Sequence, residues 1–312
     1  MHRKILIIAD IEGSSGCMSY SASSFNTEEW YDACIDMSMD VRYVTDALFA
    51  AGAEQVVIKD FHRTGYNLLP ELMNSRARLV SGYKNSPVPG IGSVYGCDAV
   101  MFTGMHASSG SGGFLAHTLT SRHGYILADG KSVSELQIFA SSLYSHGLRP
   151  IFFSGCPEAC REAVEAIPGI DVYQVDKSSP LSDRKTWREG LAAAAVKSLS
   201  NPDTVPYIMK TPCNVELKVR DGESAAEKIA RRWQLERSGD RIFFSAESFD
   251  EFYKILIRIS YLTPFIEKIL PAALPLFNLF GRFGLSVIRR KRRAEITRSM
   301  RNIEKYFEIA SF

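Results

Sequence analysis

Asp10, Glu12, His62, His106 and Glu135 are the residues in this 312-residue chain on which chemistry can be built. They are carboxylates and imidazoles only, a donor set suited to zinc and similar divalent ions. Five such donors exceed what one catalytic zinc needs. A carboxylate shared by two ions about 3.5–4 Å apart would account for the excess. Asp10 is the best candidate for that bridge, since it comes first after its strand with Glu12 beside it. Two ions would lower the pKa of a shared water and polarise a carbonyl. Each residue alone has a plainer reading, as a loop acid, a histidine bonded to a backbone carbonyl, or a glutamate favouring a helix dipole. His2, His123 and His146 take the plainer reading outright.

The expected elements give the donors a common direction. The branched apolar run Ile5–Ile8 reads as a strand buried on both faces and ends in Asp10-Ile11-Glu12 and a Gly/Ser turn. Residues two apart on a strand point the same way, so Asp10 and Glu12 project together at its carboxyl end. A second strand, 54–60, ends in Asp60-Phe61-His62, and a fourth, 98–103, runs into Gly104-Met105-His106. A short third strand spans 78–80, and Glu135 lies in the first turn of a helix beginning near Ser132. Strands that end in acids or histidines fit a parallel sheet with its site along the carboxyl edge. Between them, Asn26 or Thr27 caps a long helix to about Ala50, with Glu29 placed to close a capping box from Asn26. The loop Ala107–Gly113, ASSGSGG, reads equally as a mobile gate or as a connector. No lysine followed by serine or threonine makes it a phosphate loop, and neither G-x-S-x-G nor H-E-x-x-H occurs.

Taken in order, D-x-E-G-x-S-G, then D-x-H, then G-x-H, then a histidine about ten residues on, then a helical glutamate, the chain resembles the zinc D-aminopeptidase family, dinuclear metallopeptidases of the DppA type. The residues that carry the likeness are Asp10, Glu12, Gly13, Ser15 and Gly16; Asp60 and His62; Gly104 and His106; His117; and Glu135. The resemblance covers roughly residues 4 to 260. It implies two Zn2+ ions bridged by Asp10, with Glu12 and His62 on one and His106 and Glu135 on the other. It implies His117 as the catalytic histidine, for which a general acid/base or charge-stabilising role is chemically preferable to that of nucleophile. It further implies a ring-shaped homo-oligomer acting on short peptides. Asp60 matches no ligand and reads as a support for His62 or as an ordinary loop acid.

Composition sets the outer bounds. With 46% hydrophobic and 23% charged residues and a formal net charge of +2, the chain is an ordinary globular one with no long-range field that would select nucleic acid. Six cysteines are too few for a disulfide scaffold, and no apolar leader precedes the first strand, so a cytoplasmic location is expected. The expected fold is α/β: a mainly parallel sheet flanked by helices over residues 1–200, a smaller α+β portion over 201–260, and an apolar and basic helical tail over 261–312. In that tail Ile269–Phe280, ILPAALPLFNLF, contains Pro271 and Pro275 and precedes Arg289-Arg290-Lys291-Arg292-Arg293. A run of twelve residues is too short to span a bilayer, so the tail reads first as a subunit interface or lid and second as a peripheral membrane contact. The expected activity is zinc-dependent hydrolysis of amide bonds in short peptides, as an aminopeptidase. The alternatives are an N-acyl amide deacylase with the same metals, or a scaffold that binds a partner through the tail.

Overall fold

A computed structural model describes residues 1–310, with side chains through Ile303. The chain opens with β1 (Lys4–Ala9), α1 (Glu28–Ala50), β2 (Gln55–Asp60), β3 (Arg78–Val80) and β4 (Ala99–Met105). It continues through β5 (His123–Ala128), β6 (Lys131–Ser132), α2 (Glu135–Ser142), β7 (Arg149–Gly155), α3 (Pro157–Ala166), β8 (Asp171–Gln174) and α4 (Arg184–Ser198). Then follow β9 (Cys213–Val219), α5 (Glu223–Trp233), β10 (Glu236–Ser238), β11 (Arg241–Ala246), α6 (Phe249–Tyr261), α7 (Pro264–Lys291) and α8 (Arg293–Ala310).

Six strands form an entirely parallel sheet in the order β3-β2-β1-β4-β7-β8. β1 lies at its centre, which is why KILIIA is apolar on both faces. Alternation sends Ile5, Ile7 and Ala9 into one core with Trp30, Val44 and Leu48 of α1 and Leu191 of α4. Leu6 and Ile8 go into the other core, with Phe102, Phe139, Leu217 and Phe252. That second core is closed by an antiparallel sheet in the order β10-β11-β9-β5-β6. It joins strands from residues 123–132 to strands from residues 213–246, so the smaller portion is stitched into the middle of the larger. Asp129 and Gly130, both at positive φ, make the two-residue turn between β5 and β6.

Helix α1 begins at the expected place by a different device. Thr27 is the cap, its hydroxyl accepting from the Trp30 amide, while Asn26 sits in the left-handed region just outside. Trp30 therefore occupies the position a capping box would give to Glu29. The tail is helical, as expected, and Pro271 and Pro275 lie inside one continuous 28-residue helix, α7. By length and composition alone that helix is sufficient to cross a membrane. Its last third packs on the body. Gly281 lies against Tyr66 and Thr64, and Gly284 lies against Phe25 and Trp30. The basic run clasps neighbouring acids: Arg289 binds Glu71, Lys291 binds Glu28, and Arg292 binds Asp32 and Glu28.

Candidate metal centre

Two glycines let the loops after β1 and β4 interlock. The Gly13 amide donates to the Gly104 carbonyl at 2.7 Å, and the Asp10 amide donates to the Thr103 carbonyl at 2.9 Å. A Cβ on Gly104, at φ +71°, would lie 2.2 Å from the Asp10 carbonyl oxygen, and one on Gly13 would lie 2.1 Å from that of Met105. Only glycine permits either approach. Beyond them, Ser15 donates its amide and its hydroxyl to Asp40, each at 2.7 Å. Asp40 is held in turn by buried Arg188, which also binds Asp36. The Lys177 ammonium donates to the Ser14 and Cys17 carbonyls. The Asp10–Gly16 loop is thus fixed from three elements.

On that frame the structure brings Asp10, Glu12, His62, His106, His117 and Glu135 together. His62 Nδ1 lies 3.1 Å from Asp10 Oδ1 and 3.1 Å from Glu12 Oε2. His106 Nε2 lies 3.4 Å from Asp10 Oδ2 and 3.6 Å from Glu135 Oε1. The two oxygens of Asp10 therefore face different histidines. One donor atom each from Asp10, Glu12 and His106 falls within a 4.8 Å span, as does one each from His106, His117 and Glu135. His117 stacks on His106 with ring centroids 3.8 Å apart and planes 12° from parallel. All are buried except His117, which is half-buried and marks the open side.

Each imidazole has one nitrogen engaged by a backbone carbonyl: His62 Nε2 by Ser23 at 2.8 Å, His106 Nδ1 by Ala107 at 3.0 Å, and His117 Nδ1 by Leu115 at 2.8 Å. A carbonyl accepts only, so the proton of each neutral ring sits on the engaged nitrogen, leaving the other as a bare lone pair. For His62 and His106 that lone pair faces carboxylates, lone pair against lone pair. Glu12 Oε2 is buried and makes no hydrogen bond. Such a cluster is stable only with positive charge inside it. Protons or metal ions are the two ways to supply that charge, and the donor types and their burial fit divalent ions of the zinc kind.

Electrostatics give the same picture from the protonation side. Burial, then the neighbouring Glu12 charge, pushes Asp10 up to about 7. Burial disfavours charge on His62, yet the Glu12 and Asp10 carboxylates outweigh it and lift that imidazole to about 10. His106 is likewise raised against burial, by Glu135 and Asp10. His117 moves the other way, lowered by burial and by the charge of His106.

Two supports do not read as expected or were missed. Asp60 does not touch the His62 ring. It accepts from the Asn67 amide and side chain and from the Leu68 amide, and Asn67 in turn donates to the His62 carbonyl at 2.7 Å. The group that orients the His62 ring is the Ser23 carbonyl, and main-chain carbonyls leave no mark on a sequence. The clamp Asp36–Asp40–Arg188 was not anticipated either, since nothing local distinguishes Arg188 from the other basic residues of α4. Glu135 is the first residue of α2, behind a Ser134–Gln137 capping box, and its Oε1 accepts from the Leu119 amide at 2.7 Å.

A family model described as D-aminopeptidase matches residues 3–257. Among curated proteins, a D-aminopeptidase of Bacillus subtilis (strain 168) is 25% identical over 201 residues, spanning 63% of this chain and 68% of that one. Among solved structures, the Zn-dependent D-aminopeptidase DppA from Bacillus subtilis, described as a self-compartmentalizing protease, has the same fold. It matches with a TM-score of 0.74 at 20% identity, covering 83% of this chain and 97% of that one.

Proposed function

Since the chain belongs to the D-aminopeptidase family of peptidases, we propose that it removes amino-terminal residues from short peptides at a pair of zinc ions held by Asp10, Glu12, His62, His106 and Glu135. The observation that carries this reading is the convergence of the bare His62 and His106 nitrogens on three buried carboxylates, one of which leaves Glu12 Oε2 without a hydrogen bond. Asp10 would bridge, because its two oxygens face separate histidines; Glu12 and His62 would complete one shell, and His106 and Glu135 the other. When bound, such ions supply a Lewis acid for the scissile carbonyl and acidify water.

The chain's own groups supply the rest. His117 is the least buried member, and its Nδ1 is engaged by Leu115, so Nε2 is the atom that accepts and returns a proton. Burial lowers its pKa and so favours the neutral form that can accept a proton. The carbonyls of Ser23 and Ala107 hold the two ligand rings in one tautomer. The low dielectric around the buried carboxylates strengthens every charge interaction there. A homo-oligomer is part of the proposal, in line with the self-compartmentalizing relative, and so is a cytoplasmic location, which the six buried free thiols favour.

The test is a panel of short L- and D-peptides with free and N-acylated termini, incubated with the zinc-loaded protein and read by product identification. Cleavage of free-amine peptides, abolished by chelation and restored by zinc, is expected. His117→Ala should lower kcat/KM by about 10²–10⁴ with zinc content unchanged. Turnover confined to N-acylated peptides would replace the aminopeptidase reading with deacylation.

A further inference from the structure

Residues 264–280 of α7 include no buried side chain, although nearly all of them are apolar. Soluble surfaces rarely carry such a stretch without a partner. The exposed side chains are not scattered. Phe265, Ile269, Ala272, Leu276, Leu279 and Phe283 follow one another at steps of four, three, four, three and four, the spacing of a seam that meets another helix. The large ones are open to solvent: Phe265 70%, Leu276 70%, Leu279 61% and Phe283 58%. The other faces of the helix are already assigned. Phe277, Gly281, Gly284 and Ile288 turn to the body, where Phe277 meets Tyr83 and Gly284 meets Phe25. Glu267, Pro271, Pro275 and Arg282 form a flank, with Glu267 held by Arg258.

We propose that this seam docks onto the same seam of a second copy of the chain, with the two α7 helices antiparallel. The order of steps reads the same in both directions. About a two-fold axis near Leu274 it sets Phe265 against the copy's Phe283, Ile269 against its Leu279 and Ala272 against its Leu276. Small then meets large, as packed helix pairs require. A parallel arrangement would instead stack Ala272 on itself and bring two Arg289–Arg293 runs together, which like charge disfavours. An isologous two-fold contact also closes, leaving no seam unpaired. Burying these side chains removes about 500 Å2 per copy, on the order of 1,000 Å2 in total, the lower bound for a specific interface. A bilayer is the weaker occupant. Glu267, Lys268, Asn278 and Arg282 interrupt the apolar surface of the helix, and three of the five basic residues that would meet lipid headgroups are engaged with Glu28, Asp32 and Glu71.

The inference rests on the proposed self-assembly and supplies a contact for it from outside residues 3–257, the part of the chain that the family match covers. Sedimentation of the full zinc-loaded chain and of Leu276→Asp/Leu279→Asp is the first test. Both substitutions lie on exposed positions, so circular dichroism and peptidase turnover per chain should not change while the particle mass falls at least twofold. An unchanged mass in an assembled parent overturns the seam alone. A parent that is monomeric overturns the self-assembly with it, and co-sedimentation of that monomer with anionic vesicles, lost in the variant, would assign the face to a membrane. The register has its own test. Because the native cysteines are all buried, mild oxidation should cross-link a mixture of Ala272→Cys and Leu276→Cys chains into dimers, and neither chain alone. Cross-linking of each alone would overturn the antiparallel register.

Discussion

Lys59 shows how much a single residue can hide. It stands in β2 between Ile8 of β1 and Val80 of β3, 1% exposed, with its ammonium donating to the Gly82 carbonyl and lying 5.8 Å and 5.6 Å from the Phe61 and Tyr83 ring centroids. Burial lowers it from 10.5 to about 8. The unfolded chain therefore holds a proton that the folded chain has lost between those values, so the contribution of Lys59 to stability rises with pH across that window, against the opposite contributions of the raised His62 imidazole and the buried thiols. Chemical denaturation at pH 8, 9 and 10 should show the parent gaining about 1 kcal/mol per pH unit relative to Lys59→Met. Parallel pH dependence in the two chains would contradict this reading of Lys59. The metal-site candidates were legible for the opposite reason: acids and imidazoles at the ends of apolar runs have few plainer uses in combination. What was not legible is how they are aimed. The Ser23, Ala107 and Leu115 carbonyls that fix the rings are main-chain atoms, and Asp60 supports His62 only through Asn67.

At the scale of elements, β1 and the loop that leaves it carry most of the consequence. Gly104→Ala would force a Cβ into the Asp10 carbonyl at a left-handed φ. A loss of about 3 kcal/mol or more in unfolding free energy is expected, together with a loss of bound zinc; wild-type stability in this variant would refute the interlock. Arg188→Met should cost about 3–5 kcal/mol by stranding the buried Asp40 and leaving Asp36 with only its longer contact to Arg184. That variant should also raise hydrogen exchange at the Ser15 amide, which donates to Asp40. The strands of the parallel sheet were readable because a strand buried on both faces is a continuous apolar run. The pairing of β5 with β9 was not, because nothing local in residues 123–128 announces a partner at 213–219. β10 was missed because its three residues are all exposed and show no alternation.

At the scale of the whole molecule the helical tail was legible but its length was not: the twelve-residue run Ile269–Phe280 is the middle of a 28-residue helix, whose two internal prolines each remove only their own amide bond. Within the basic run, Arg289, Lys291 and Arg292 pair with Glu71, Glu28 and Asp32. Gly284→Leu should lift α7 from Phe25 and Trp30, since even a Cβ there falls 2.4 Å from the Phe25 ring. Limited trypsin digestion would then cut within Arg289–Arg293 much faster than in the parent chain while the body stays intact. Equal cleavage rates would mean that the docking of α7 does not depend on this glycine.

The most direct test of the metal centre is zinc content per chain, measured by elemental analysis after saturation and removal of free metal. Two equivalents are expected for the parent, with fewer for both His62→Ala and His106→Ala although each remains folded. A parent that retains no zinc, or variants that retain as much as the parent, would contradict the assignment of these residues to a two-ion site.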